Sequence, residues 1–338
     1  MATFNKAATF TDLHLGAKGN SQIHNQDCVD FIDWFIDNAK ANGCETGIFS
    51  GDFHHNRNNI NIMTLNTSIE ILEKLGKAFD QFFFITGNHD LYYKDRRDIN
   101  SLVFGDHIDG ITLVNDILEF PDVAFVPWLI GDEWKKIQKI KSPVIYGHFE
   151  LANFYMNAHV KMPDTGHLKA SHFQKQKHVF SGHFHKRQTQ GKIHYIGNAF
   201  PHNYADAWDN DRGMMIYDLT TQDGPTYINW EDCPKYMVIE LSKLLDEPEK
   251  IIQNKSHLRI ILDIDVSYEE ATYIKETFME KFNCREISLI AQQTEKELYS
   301  DLEVSQFESV DQIITEELAN INSEHFDNHT LREIYQNL

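Results

Sequence analysis

Between Asp12 and His185 the chain carries five short polar groups: Asp12-x-His14, Gly51-Asp52, Gly87-Asn88-His89-Asp90, Gly147-His148 and Gly182-His183-x-His185. They supply carboxylates, an amide oxygen and imidazoles. Such a mixed oxygen and nitrogen set suits borderline divalent ions such as Mn, Fe or Zn better than Mg or Ca alone. The set is too large for one ion. With one carboxylate shared it fits two ions about 3.5–4 Å apart, the arrangement used for in-line attack at phosphorus. Residues spaced i, i+2 on a strand face one way, so His183 and His185 can serve one centre. Glycine ahead of most of these groups allows a sharp turn and close backbone approach. The remaining histidines His24, His54, His159, His172, His178, His194, His202 and His257 read as surface or structural residues.

Each polar group ends a short, β-rich apolar run: "KAATFTDLHLG" (6–16), "TGIFSGDFHH" (46–55), "QFFFITGNHD" (81–90), "PVIYGHFE" (143–150) and "HVFSGHFHK" (178–186). Further runs of this kind are "VAFVPW" (123–128), "KIHYIGNAF" (192–200) and "RGMMIYDL" (212–219). Helical spacing of Val29, Phe31, Ile32, Phe35 and Ile36 predicts a helix over about 27–42, and a second is expected over 64–78. Strands partly separated by helices predict an α/β sheet covered on both faces. In such sheets ligands bind where loops leave the strand ends.

After about residue 220 the histidine-rich strand ends stop. Residues 236–292 read as β-α-β-α-β, with Ser267 and Glu270 forming a capping-box signature for the longer helix. A polar, acidic linker follows at 299–309. Two short amphipathic helices then close the chain, one with Val310, Ile313, Ile314 and Leu318, the other with Leu331, Ile334, Tyr335 and Leu338. The organisation expected is therefore a first domain over 1–220, a second over 221–295, and a linker with terminal helices over 296–338.

Composition narrows the class. Cys28, Cys44, Cys233 and Cys284 lie far apart with no C-x-x-C, which reads as reduced thiols in a cytoplasmic protein. No apolar run approaches the roughly 20 residues of a membrane span, and the N-terminus does not read as a secretory signal. The formal charge of −20 runs against a protein that grips nucleic acid through its own surface, which is usually basic.

In order and spacing the five groups resemble the calcineurin-type metallophosphoesterase family, with its D-x-H, G-D, G-N-H-[DE], H and G-H-x-H pattern over about residues 6–218. The resemblance implies a β-sandwich core flanked by helices, a more specific form of the α/β class. It also implies a dinuclear site: Asp12, His14, Asp52 and His185 on one ion, and Asp52, Asn88, His148 and His183 on the other. "GDFHHNR" places His55 three residues after Asp52, similar to the G-D-x-x-H of SbcD-type double-strand-break-repair nucleases. The protein phosphatases of the fold carry Asp-Arg-Gly after G-D instead. "TDLHLG", "VPW", "GHFELANFYM" and "SGHFHK" look closest to the recombination nuclease subunits of T4-like bacteriophages. "IGNAFPHN" (196–203) departs from the Gly-Ser-Pro or Gly-Thr-Pro of relatives.

What the resemblance implies for function is a nuclease subunit, exo- and endonucleolytic, hydrolysing DNA phosphodiesters with two divalent ions, Mn(2+) or Mg(2+). His55 would stabilise charge on the phosphoryl oxygens, His89 would protonate the leaving sugar oxygen, and Asp90 would orient the His89 ring. The small α+β second domain would help present double- or single-stranded DNA. An SbcC-type coiled-coil ATPase would supply the DNA grip that this acidic chain lacks. The helices around Ile313 and Ile334 would dock onto it, within a heterotetramer built on a homodimer. Helices between about 64 and 100 are one dimer surface to consider. The setting would be cytoplasmic, that of the host for a phage protein. A phosphatase or cyclic-nucleotide phosphodiesterase is the competing reading, and a non-catalytic scaffold a third, against which the full ligand set counts.

Overall fold

The run Gln81–Ile85 has no polar alternation because both of its faces are covered: Phe82 and Phe84 point into one core and Phe83 and Ile85 into another. The computed structural model describes residues 3–164 and 167–291, and this strand is central to it. Strands β1 (Lys6–Phe10), β2 (Thr46–Phe49), β3 (Gln81–Ile85) and β4 (Ile111–Val114) pair in parallel. The chain then builds a second sheet from β5 (Leu118–Glu119), β6 (Val123–Val126), β7 (Val144–His148), β8 (His178–Gly182), β9 (Gln188–Gln190) and β10 (Ile193–Tyr195). Its order is β5-β6-β7-β8-β10-β9. It returns to the first sheet with β11 (Gly213–Asp218) and β12 (Thr226–Asn229), giving the order β12-β11-β1-β2-β3-β4.

Ile48, Phe83, Phe125, Tyr146, Phe180, Met215 and Tyr217 fill the space between the two sheets, so the core is a β-sandwich. The outer face of the first sheet packs on helices Gln22–Ala41 and Ile62–Ala78 through Phe10, Phe31, Phe35, Leu72 and Leu75. Asn61 caps the second of these helices by accepting from the Met63 amide at 2.8 Å. The outer face of the second sheet is covered by loops and short 3₁₀ turns around Phe149, Phe154 and Phe173. The expected α/β class and helix-flanked sandwich are both present.

The first unit runs further than residue 220. Strand β12 still pairs with β11, and Trp230 and Cys233 still belong to the core under the first sheet, so the break falls after Cys233. Beyond it, β13 (Lys235–Glu240), β14 (Ser256–Leu262) and β15 (Glu286–Ala291) form a parallel sheet crossed by helix Tyr268–Phe282, the β-α-β-α-β pattern expected. The Ser267–Glu270 capping box is formed. Arg285 reaches back to Asp27 on helix Gln22–Ala41 (Nη2 to Oδ1, 2.7 Å), and Arg259 lies 3.9 Å over the Tyr204 ring, tying this unit to the first. The linker and terminal helices expected over 296–338, with Ile313 and Ile334, lie outside the described residues. Among the described residues no helix is long and apolar enough to cross a membrane.

Candidate metal centre

The ligand-bearing turns leave β1, β2, β3, β7 and β8 at their C-terminal ends. The first two turns zip together: the Asp12 amide donates to the Gly51 carbonyl (2.9 Å) and the His14 amide to the Asp52 carbonyl (3.1 Å). Asp12, His14, Asp52 and His183 all hold left-handed backbone, with φ of 51°, 51°, 63° and 84°. For non-glycine residues this costs on the order of 1–3 kcal/mol each, strain that persists only where surrounding structure enforces it and that clusters at functional sites. Glycine serves two different ends here. Gly51 takes a φ of 102°, while a Cβ on Gly182 would lie 2.0 Å from Thr11 Oγ1, so β8 could not approach β1 with any side chain there.

All seven predicted ligands converge. Oxygen and nitrogen atoms of Asp12, His14 and His185 lie within 4.8 Å of one another, and so do those of Asp52, His148 and His183. Asp52 touches both groups, with Oδ2 3.9 Å from His14 Nε2 and 3.3 Å from His148 Nε2. Asn88 Oδ1 lies 3.0 Å from both His148 Nε2 and His183 Nδ1. Their partners outside the cluster fix the ring orientations. His148 Nδ1 donates to the Ser50 carbonyl at 2.7 Å, which turns Nε2 toward Asp52. Thr11 donates to Asp12 Oδ2 at 2.6 Å and the His89 amide to Asp52 Oδ1 at 2.7 Å.

Burial and mutual charge set the electrostatics of the cluster. Burial pushes the Asp12 carboxyl up to about 7. Burial would raise Asp52 too, but the charges of His148 and His89 hold it well below the usual carboxylate range. Burial would lower His148, but Asp52 carries it up to about 9. Burial and the neighbouring imidazoles press His14 well below its ordinary value, and burial with the Arg212 charge brings His185 down to about 4. His14 Nε2 and His185 Nε2 sit 3.2 Å apart, so both cannot be protonated. Two buried carboxylates and four imidazole lone pairs turned on one another fit two divalent ions, each offered at least three protein donors.

No family model matches the chain. It is 26% identical over 296 residues to exonuclease subunit 1 of Enterobacteria phage T4, covering 78% of this chain and 86% of that protein. The sandwich, the order of the motifs and the converged donors agree with that likeness. The fold and donor set resemble those of the calcineurin-type metallophosphoesterases. A solved dimetal phosphatase from Danio rerio is 12% identical, with a TM-score of 0.39, covering 64% of this chain and 92% of its own.

Around these donors stand two more imidazoles. His55 and His89 stack at 5.8 Å, and with His14 they bring ring nitrogens within 4.8 Å of one another. His89 Nδ1 donates to the His55 carbonyl at 2.7 Å. His55 Nδ1 is buried with no hydrogen-bond partner among the described residues, and burial holds the ring down to about 4.

Asp90 differs from expectation. Its carboxylate does not orient the His89 ring, whose partner is a carbonyl. It accepts from four backbone amides instead: Gly87 (2.8 Å) and Asp52 (3.0 Å) on Oδ2, Phe53 (2.9 Å) and His54 (3.2 Å) on Oδ1. It therefore clamps the second and third ligand turns together. Burial and the Asp52 charge push its carboxyl up to about 7, against the pull of those amides.

Three neighbours were given no role by the sequence reading, although Trp128 and Glu150 lie within the "VPW" and "GHFELANFYM" stretches. His202, classed with the structural histidines, donates from Nε2 to the Asp12 carbonyl (2.9 Å) and packs edge-on to His14 and His185. It sits in the "IGNAFPHN" loop, whose departure from the usual sequence was the one available signal. Glu150 Oε2 lies 3.4 Å from His183 Nε2, and the Trp128 ring lies 5.0 Å from that of His183. Nothing in the spacing of Glu150 or Trp128 marks them.

Proposed function

We propose that this chain is the two-metal nuclease subunit of a recombination and double-strand-break-repair complex, hydrolysing DNA phosphodiesters as an exo- and endonuclease. The observation that carries the reading is the seven-donor cluster with His55 and His89 on its rim, in a chain similar to a phage protein named exonuclease subunit 1. Asp12, His14, Asp52 and His185 would hold one ion and Asp52, Asn88, His148 and His183 the other, with Mn(2+) favoured by the nitrogen content and Mg(2+) the other choice. Bound there, the pair supplies Lewis-acid polarisation of phosphate oxygens and a water made acidic enough to act as nucleophile.

The protein's own residues do the rest. The His55 ring, beside His14 and His89 on the rim of the cluster, donates to a phosphoryl oxygen as charge builds on it. With Nδ1 of His89 held by the His55 carbonyl, Nε2 carries the proton delivered to the leaving sugar oxygen. Burial lowers the affinity of His89 for that proton, and an incoming phosphodiester anion restores it. Asp90 is a positioning residue for the ligand turns.

The charge of −20 favours a partner that grips DNA, and an SbcC-type ATPase fits that need. Residues 296–338 are assigned to that contact and the second unit to presenting the strand. A homodimer inside a heterotetramer, in host cytoplasm, completes the reading. The test is manganese-dependent cleavage of linear DNA, with and without the cognate ATPase, beside hydrolysis of a nucleotide monoester. A protein that hydrolyses the monoester and leaves DNA intact under all conditions is a phosphatase of this fold and not a nuclease.

A further inference from the structure

Beside the His148–His183 half of the centre opens a cavity of about 310 Å³ that the chemistry above does not use. His148 stands at its inner end. Its walls are Trp128, Leu129, Trp134, Phe149 and Leu168, with Glu150 as the acidic group. Trp128 is the partition, since its ring packs on both metal-side histidines, at 5.0 Å from His183 and 6.0 Å from His148. Trp134 forms the far wall, its ring braced by stacking on His172 at 5.2 Å.

The lining selects its ligand. A phosphate would meet mostly aromatic and aliphatic faces and the Glu150 carboxylate, with His148 and His167 as its only imidazole partners and no lysine or arginine among the described residues of the lining. A flat, largely apolar ring with an N–H edge would meet two indoles for stacking and an acceptor in Glu150. The size lies at the lower end of pockets that hold small-molecule rings. We propose that this cavity seats a nucleobase of the substrate strand next to the scissile phosphate, with Trp134 as its stacking wall and Glu150 facing the base's N–H edge. The proposal rests on the nuclease reading and deepens it. It also answers the charge: stacking on aromatic rings is sequence-tolerant and needs no lysine or arginine, so an acidic chain gains a hold on the strand that salt does not screen.

The test uses the full chain with manganese and a single-stranded oligonucleotide, either intact or carrying one abasic residue scanned across positions flanking the cleaved bond. Wild type, Trp134→Ala and Trp134→Phe are compared by kcat and KM. On the intact strand Trp134→Ala is expected to lose about tenfold in kcat/KM, mainly through KM, and Trp134→Phe to keep most of it. At one flanking position the abasic residue costs wild type a similar factor and costs Trp134→Ala nothing more. Equal losses for Trp134→Ala on intact and on every abasic strand overturn the pocket, as does no loss at all. Should Trp134→Ala fail to fold, the wild-type scan and Trp134→Phe still decide: a wild type indifferent to abasic position refutes it. A wild type that cleaves no strand, intact or abasic, overturns the nuclease reading and the pocket with it, whereas cleavage without base dependence overturns the pocket alone.

Discussion

Replacing Asp90 by Asn separates two roles that the sequence alone would merge. In the structure each Asp90 oxygen accepts two backbone amides, Phe53 and His54 on one, Gly87 and Asp52 on the other. Asparagine keeps one acceptor oxygen and turns an NH₂ toward two amides that are themselves donors. Two hydrogen bonds to a charged acceptor are lost, each worth about 1.5–3 kcal/mol, so the cost is roughly 3–6 kcal/mol. Against a typical total stability of about 5–15 kcal/mol this is a large fraction. For a chain of this size it corresponds to a fall in Tm of roughly 4–8 °C. Because the four amides belong to the turns that carry Asp52 and Asn88, metal affinity falls with stability.

Thermal unfolding with and without manganese, metal titration and turnover are measured on the same preparation. The expected pattern for Asp90→Asn is lower Tm, weaker metal binding and lost turnover that excess manganese partly restores. Unchanged Tm and stoichiometric metal, with turnover alone reduced, would return Asp90 to the task of aligning His89 and refute the clamp.

Other substitutions probe the remaining assignments. His89→Asn is expected to slow DNA cleavage by about 10²–10⁴-fold at full metal content; wild-type rates would remove its role as the acid. Glu150→Gln weakens the carboxylate beside His183 Nε2 and should reduce manganese affinity by about 10–100-fold in a direct titration, with unaltered affinity as the contrary result. Burial holds His54, bonded between Ser68 and Ser101, down to about 3, so the unfolded chain binds its proton near 6.5 and the folded chain does not. The stability tied to a neutral His54 is thus complete above that range and lost as pH falls toward 3, by about 1.4 kcal/mol per pH unit. The Tm gap between wild type and His54→Asn should therefore narrow from pH 7 to pH 5; a constant gap would contradict the neutral, buried ring.

How far the sequence reaches is best seen by contrasting neighbours. Strand β3 was legible because a run buried on both faces is apolar throughout and stops abruptly at Gly87. Strand β12 was not: Thr226–Asn229 is half-buried at the sheet's edge, and its membership in the first sheet depends on a register with β11 that no local pattern encodes. The same division runs through the site. The clustered residues Asp12, His14, Asp52, Asn88, His148, His183 and His185 are readable because they are carboxylate, amide and imidazole types, the kinds that suit a metal, and all stand at strand ends. What holds them is not readable, because a hydrogen-bond acceptor can serve any donor that the fold brings near. His89 and Asp90 are adjacent in sequence, yet one side chain turns to a carbonyl at the rim and the other to four amides behind the ligands. His202 reaches the Asp12 carbonyl from a loop that only the return to β11 delivers. In this protein, then, the identity of the clustered donors is written locally, while their geometry, including four left-handed backbones at the donor turns, is imposed by contacts distant in the chain.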